Sequence, residues 1–381
     1  MKIKILFLIH DLSVGGAEKV LVNLVNNMDR EKFEITVISL FGGGVNEQFL
    51  QNHIRYKSVF DKTIPGNSKL MKLLTPRQLH RLFIKERYDI EVSYLEGPTA
   101  RIISGCPDEK TRLISWIHVE QHTKEVAAGS FRNYAESEKC YARFNNIVCV
   151  SKYVKKDFQN IYPTISNVEV LYNTNETADI VTKSKEKVEE NSFQNDEIKL
   201  IGVGKIVPVK GFDKLARIHK RLRDEGFPVH CYVLGVGHEQ KKIEEYLEVN
   251  NLIDTFTFLG YQTNPYKYVA KCDLFVCASI AEGFSTAATE ALIVGTPVVT
   301  TDVSGMKEML GENNEYGIVV KNDEEALYKG IKHLLDDNVL LEYYTEKAKE
   351  RGEYFSTENT VRAVERMLQD IKIGGLNARE R

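Results

Sequence analysis

Apolar runs and helical apolar stripes alternate along the first part of the chain. Ile3–Ile9 is an almost unbroken apolar run, interrupted by Lys4. A strand buried on both faces of a parallel sheet has this pattern. Over Ala17–Met28, Val20, Leu21, Leu24, Val25 and Met28 recur at three- and four-residue spacing, which predicts a helix with one apolar face. Glu34–Leu40, Ile90–Tyr94, Leu113–Ile117, Ile147–Val150 and Val168–Leu171 predict further strands, and Leu70–Lys85 a helix. Such alternation builds a parallel sheet covered by helices.

From Asn173 to Glu197 the chain turns polar, rich in Asn, Thr, Lys and Glu, and the pattern predicts a linker or surface excursion. The alternation then restarts with a strand at Lys199–Val203, a helix at Phe212–Glu225, a strand at Val229–Leu234 and a helix at Glu239–Asn250. Strands follow at Thr255–Leu259, Leu274–Cys277 and Val298–Thr300, with a helix at Ser285–Ile293 before the last. Late helices are predicted at Glu325–Leu335, Val339–Glu350 and Thr357–Lys372, and a polar tail from Gly374 that frays. The fold class read from this is α/β, with two Rossmann-like doubly wound domains. Their bounds are 1–173 and 199–356, joined by a linker at 174–198, with a last helix and tail at 357–381 expected to pack back on the N-terminal domain. Two such units in series suggest a ligand held between them.

Composition narrows the function classes. The 381 residues suit two domains at about 100–200 residues each. A net charge of −3 argues against nucleic acid as a partner, because phosphate backbones demand a basic surface. Six cysteines are scattered without a C-x-x-C pair, and Cys149, Cys231 and Cys277 lie inside strand-like runs. That usage predicts buried thiols in a reducing compartment. The opening apolar run is too short for a secretory signal, and no stretch of about 18 apolar residues suggests a membrane span. A cytoplasmic protein is expected.

Three segments carry candidate chemistry. Gly15–Gly16 lie between the first strand and the first helix, where backbone N–H groups and a helix N-terminus favour a phosphate. The spacing is not G-x-G-x-x-G, so a nicotinamide fingerprint is missing. Lys205 and Lys210, in Gly204–Gly211, follow a strand, and the carboxyl ends of strands are where open α/β sheets bind ligands. Two cations there suit a diphosphate. The third segment runs from Glu282 to Leu292. Gly283 permits close backbone approach, and Ser285 or Thr286 can begin a helix whose first N–H groups stay available. Glu290, just over one turn in, can accept hydrogen bonds from ribose hydroxyls, and Glu282 can meet those of a sugar.

Together these segments resemble a known family. Glu282 and Glu290, with seven residues between them in an E-G-F-x5-E-A setting before Gly295–Val299, look like the E-x7-E signature of retaining GT-B glycosyltransferases of family 4. Gly15–Glu18 resembles the family's G-G-A-E loop, Lys205 to Gly211 its G-R-x4-K-G element, Tyr172–Asn173 its N-G turn, and Phe258–Gly260 its F-L-G segment. The resemblance implies two domains facing across a cleft, an acceptor-side N-terminal domain and a C-terminal domain that binds the nucleotide sugar. It implies that Lys205 and Lys210 bind the donor diphosphate, Glu290 the ribose and Glu282 the donor sugar. Backbone groups of Gly283, Phe284, Ser285 and Thr286 would meet sugar and phosphates, Gly15 and Gly16 the diphosphate. Asn173 would line the donor site, and Tyr261 and Gln262 would flank the base. His118, after the strand at Leu113–Ile117, would contact the donor sugar. Departures from the pattern are Lys205 for arginine, Thr174 for the turn glycine and Ser285 for a glycine. The family needs no metal or other cofactor, so none is expected, and a His118/His122 metal pair is the lesser reading.

The implied activity is transfer of a hexose or N-acetylhexosamine from a nucleotide sugar, UDP being the favoured base, to a glycan or lipid-linked acceptor with retention of configuration. Bacterial surface polysaccharide synthesis is the expected setting. A nucleotide-sugar epimerase of the same fold and a non-catalytic sugar-nucleotide-binding protein are the rival readings. Lys69, Lys72, Arg77, Arg81, Lys85 and Arg87 interleave with Leu70, Leu73, Leu74, Leu79, Leu82 and Phe83. A basic amphipathic helix of this kind suits peripheral contact with the inner face of a membrane.

Overall fold

The computed structural model describes residues 2–13, 15–62, 71–189, 193 and 196–377. The chain divides into two units, Met1–Asn175 with Thr357–Arg381, and Glu176–Ser356.

In the first unit, strands β1 (Ile3–Ile9), β2 (Phe33–Phe41), β3 (Arg55–Phe60), β4 (Ile90–Ser93), β5 (Arg112–Ile117), β6 (Asn146–Cys149) and β7 (Val168–Val170) form one parallel sheet in the order β3-β2-β1-β4-β5-β6-β7. The order reverses between β1 and β4, which pair from Ile5↔Ile90 to Leu8↔Ser93. Ile5 through Ile9 are fully buried, as the unbroken apolar run requires. Strand β3 has no apolar run and escapes the sequence pattern: its residues Arg55–Phe60 are half or fully exposed on an edge, and pairing with β2 makes them a strand.

The helix Thr357–Asn377 belongs to this unit, although it comes last in the chain. It buries Val361, Val364, Met367 and Leu368. Its Glu365 accepts from the Asp29 amide at 2.6 Å, Thr357 donates to the Asn175 carbonyl at 2.6 Å, and Lys372 pairs with Asp89. It continues past Gly374, where fraying was expected.

The second unit repeats the plan. Strands β8 (Ile198–Val203), β9 (Val229–Leu234), β10 (Phe256–Gly260), β11 (Leu274–Cys277), β12 (Val298–Thr301) and β13 (Ile318–Val320) pair in parallel as β10-β9-β8-β11-β12-β13. Its core gathers Leu200, Leu215, Val233, Leu274, Val276 and Val299 from the central strands and the helix Phe212–Asp224. The predicted linker is corrected here. Thr177–Ser184, inside 174–198, is a helix. Its Ile180 is buried against Tyr266 and Ile293, with partly buried Val181 packed beside them. Two adjacent apolar positions make no periodic stripe, so the polar composition concealed it.

The basic helix is also shorter than its pattern. It spans Pro76–Phe83, begun by Thr75, whose hydroxyl accepts from the Gln78 amide at 3.3 Å, and by Pro76 at the first helical position. Lys69 and Leu70 lie outside the described residues. Leu79 is buried, while Leu73 and Leu82 are exposed at 74% and 50% beside exposed Arg77, Arg81, Lys85 and Arg87. All six cysteines are buried and unbridged. No helix among the described residues is long and apolar enough to cross a membrane.

Candidate functional site

Where strand order reverses, the two loops leaving neighbouring strands turn apart and open a ligand crevice at the carboxyl ends. In the second unit that point lies between β8 and β11, paired at Leu274↔Leu200 and Phe275↔Ile201. The loop after β8 carries Lys205 and Lys210, and the loop after β11 carries Glu282.

These loops are pressed together by Gly211. Its φ of +66° is a left-handed conformation that strains other residues, and a Cβ there would stand 2.2 Å from the carbonyl oxygen of Ala278. Ile280 donates its amide to the Val209 carbonyl at 2.7 Å. The buried Lys214 ammonium donates to the Ala278 carbonyl at 3.2 Å, and burial lowers its pKa. Asn322 donates to the Ile280 carbonyl at 3.0 Å. The strand end that launches Glu282 is therefore held from three sides.

Lys210 Nζ lies 2.6 Å from Glu282 Oε1, and the Ser279 hydroxyl donates to the same oxygen at 2.6 Å. The Glu282 side chain is only 11% exposed. Two donors therefore meet one oxygen of an enclosed carboxylate. Lys205 is exposed in the β8 loop.

The helix Thr286–Ile293 begins at Ser285, whose hydroxyl accepts from the Ala288 amide at 3.3 Å. Glu290 in that helix is buried at 7% exposure, and the Tyr266 hydroxyl reaches its Oε1 at 3.4 Å. Phe284, next to Gly283, is buried edge-on against Phe355 with ring centroids 5.7 Å apart. Beyond β10, Tyr261 is 51% exposed, and Gln262 donates to the Leu259 carbonyl at 2.7 Å. The structure thus joins Lys210 to Glu282 directly and sets Glu290, Tyr261 and Gln262 on loops and a helix that leave strands of the same sheet.

Gly15, Gly16, His118 and Asn173 belong to the first unit, after β1, β5 and β7. The helix Gly16–Asn27 has Gly15 at its N-cap with no side-chain cap, which leaves a terminus suited to an anion. Gly15 has extended backbone that any residue adopts, and a Cβ there would meet only the movable Glu18 carboxylate, so the structure does not require glycine at this position. Asn173 is buried. His118 packs on Tyr94 with ring centroids 5.0 Å apart, and burial lowers its pKa to about 3. It is a neutral imidazole at pH 7, and its buried Nε2 has no hydrogen-bond partner among the described residues. Its backbone amide donates to Glu96 Oε2 at 3.0 Å, and burial pushes the Glu96 carboxyl up. The lesser reading of a His118/His122 metal pair gains no geometry: His122, at φ +61°, faces Asp157 instead, Nδ1 to Oδ1 3.6 Å.

Sequence reasoning missed Ser279, Tyr266, Lys214 and Glu96. Each acts through a partner distant in the chain or across a turn, and none stands in a motif of its own.

Residues 14–178 match the domain model described as Glycosyltransferase Family 4, and residues 183–351 the one described as Glycosyl transferases group 1. A Campylobacter jejuni relative is 27% identical over 91% of this chain and 94% of its own length; it is an N-acetylgalactosamine-N,N'-diacetylbacillosaminyl-diphospho-undecaprenol 4-alpha-N-acetylgalactosaminyltransferase. The lipopolysaccharide core biosynthesis glycosyltransferase LpsD of Rhizobium meliloti is 21% identical over 88% of this chain and 89% of its own length. Among solved structures, Anabaena HepE in complex with UDP and glucose shares the fold at a TM-score of 0.77 and 17% identity, over 97% of this chain and 100% of that one.

Proposed function

The chain carries glycosyltransferase domains of the family 4 and group 1 types in a GT-B fold, and from that premise we propose that it moves a hexose or N-acetylhexosamine from a UDP-sugar to a glycan or lipid-linked acceptor with retention of configuration. The observation that carries this reading is the contact of Lys210 with Glu282 at the switch point between β8 and β11. The name of the Campylobacter relative supports a diphospho-undecaprenol-linked acceptor, and that of the Rhizobium relative a lipopolysaccharide-core acceptor.

The chemistry follows from charge. Cleaving the sugar–phosphate bond leaves negative charge on the diphosphate and positive character on the sugar ring. Lys210 and Lys205 stabilise the first, together with the N-termini of Gly16–Asn27 and Thr286–Ile293. In this reading lysines, not a metal ion, supply the positive charge. Without donor, Lys210 rests on Glu282. Donor binding draws the ammonium toward phosphate and frees Glu282 to accept hydrogen bonds from sugar hydroxyls. Glu290 accepts from the ribose, and neutral His118 offers Nε2 as an acceptor to the sugar. The acceptor hydroxyl attacks from the face the diphosphate leaves and gives its proton to a phosphate oxygen, so the new bond keeps the anomeric configuration. Arg77, Arg81, Lys85 and Arg87, with exposed Leu73 and Leu82, are proposed to rest on an anionic membrane face.

The test is a panel of UDP-, GDP- and ADP-sugars, with and without polyprenyl-diphosphate-linked saccharides, followed by nucleotide release. Acceptor-dependent UDP release is expected. Lys210→Ala should lower kcat about 10²- to 10³-fold, the usual loss when one charge-stabilising donor goes. Isomerisation of the sugar without acceptor would overturn the proposal.

A further inference from the structure

Glu91 is the least expected side chain in the first unit's sheet. It sits on the interior strand β4, beside Leu6 of β1 and Leu113 of β5, and is 1% exposed. A carboxylate so far from water needs a cation or strong donors. Two groups meet it. His80 Nε2 lies 2.8 Å from Oε2, and the Cys106 thiol 3.8 Å from Oε1. Both are buried, at 5% and 2% exposure. The three come from separate elements: the helix Pro76–Phe83, strand β4, and the turn after the helix Pro98–Ile103. One donor atom from each lies within 4.8 Å of the others.

We propose that His80, Glu91 and Cys106 bind one zinc ion as a structural site of the first unit. Imidazole nitrogen, carboxylate oxygen and thiolate sulfur are the ligand types zinc takes, at about 2.0–2.3 Å. Tetrahedral angles at those bond lengths separate donor atoms by roughly 3.3–3.7 Å. The gaps of 2.8 and 3.8 Å bracket that range, and the His80 and Cys106 donors lie within 4.8 Å of each other. Charge balance favours it as well. On binding, the proton shared by His80 Nε2 and Glu91 Oε2 leaves for solvent or for His80 Nδ1, which frees both atoms to ligate; the Cys106 S–H bond breaks, its proton passes to solvent and its electron pair forms the S–Zn bond. Thiolate and carboxylate then neutralise the ion, and a ligating imidazole is neutral, so the buried cluster carries no net charge. The Asp108 carbonyl, 3.8 Å from the Cys106 sulfur, or a water supplies the fourth ligand. Glu91 sits in the amino-terminal half of β4, whereas Gly15, His118 and Asn173 follow the carboxyl ends of their strands. The ion would therefore pin a helix and a turn to the sheet rather than touch substrate.

The experiment uses the full chain, stripped with a chelator and titrated with Co²⁺ and then Zn²⁺. One equivalent of Co²⁺ should produce a thiolate-to-cobalt charge-transfer band in the near ultraviolet. Zn²⁺ should displace it and raise the melting temperature. Cys106→Ser should lose the band and Cys140→Ser keep it, while His80→Gln should weaken binding by more than about tenfold, the least that losing even a ligand's outer-shell partner costs. A folded wild-type chain without the band, or a band that survives Cys106→Ser, would overturn the proposal and leave the trio a hydrogen-bonded cluster.

Discussion

At Gly211 a single backbone conformation decides the site. The left-handed φ and the 2.2 Å approach to the Ala278 oxygen admit no side chain. Gly211→Ala should therefore destabilise the second unit by more than about 1 kcal/mol, the lower end of the left-handed penalty for an L-residue. Denaturant unfolding checks this, and an unchanged midpoint would show that the loops tolerate separation. Two buried histidines, His118 and His219, give a pH prediction. Burial lowers both pKa values to about 3, from an unfolded value near 6.5. Above pH 6.5 neither state is protonated and the stabilisation is complete. As pH falls from about 6.5 toward 3 the unfolded chain takes up protons that the folded chain refuses, so stability falls, by up to about 1.4 kcal/mol per pH unit for each histidine. His219→Gln should flatten the decline in melting temperature over that range. An equal decline in wild type and variant would refute the depressed value.

Elements show what can be read from sequence and what cannot. Strands β1, β9 and β11 are uninterrupted or nearly uninterrupted apolar runs, and burial on both faces of a parallel sheet is what makes them so. Strand β3 owes its conformation to pairing with β2, which no local pattern records. The helix Thr177–Ser184 rests on two adjacent apolar positions, Ile180 and Val181. The carriers of charge, Lys210, Glu282 and Glu290, stood out because motif spacing is local. Ser279, Lys214 and Tyr266 did not, because their meaning lies in which strand ends are neighbours. The last helix, Thr357–Asn377, shows its apolar stripe in sequence, and the structure gives its place: Leu368 is fully buried in the first unit. Leu368→Ala should cost about 2–5 kcal/mol of stability, the range for a leucine cavity in a core. Calorimetry would read this as a lower melting transition, and an unshifted transition would mean the helix is not part of that core.

For the whole molecule, the six-strand order β10-β9-β8-β11-β12-β13 matches β3-β2-β1-β4-β5-β6, to which the first sheet adds β7, and the order reverses between β1 and β4 and between β8 and β11. At each reversal the loops leaving the two central strands turn apart at the carboxyl end of the sheet, and Gly15, Lys205, Lys210 and Glu282 lie in such loops. If Arg77, Arg81, Lys85 and Arg87 meet lipid, Arg77→Glu with Arg81→Glu should abolish sedimentation with anionic vesicles and leave turnover on a soluble acceptor intact. Binding to neutral vesicles with equal strength would contradict that reading. The most direct measurement is UDP release from a UDP-N-acetylhexosamine or UDP-hexose on addition of a polyprenyl-diphosphate saccharide, compared between wild type, Lys210→Ala and Glu290→Ala. Acceptor-dependent release is expected in the wild type, with a kcat loss in the first variant and a raised donor KM in the second. Wild-type rates in both variants would contradict the roles assigned to Lys210 and Glu290.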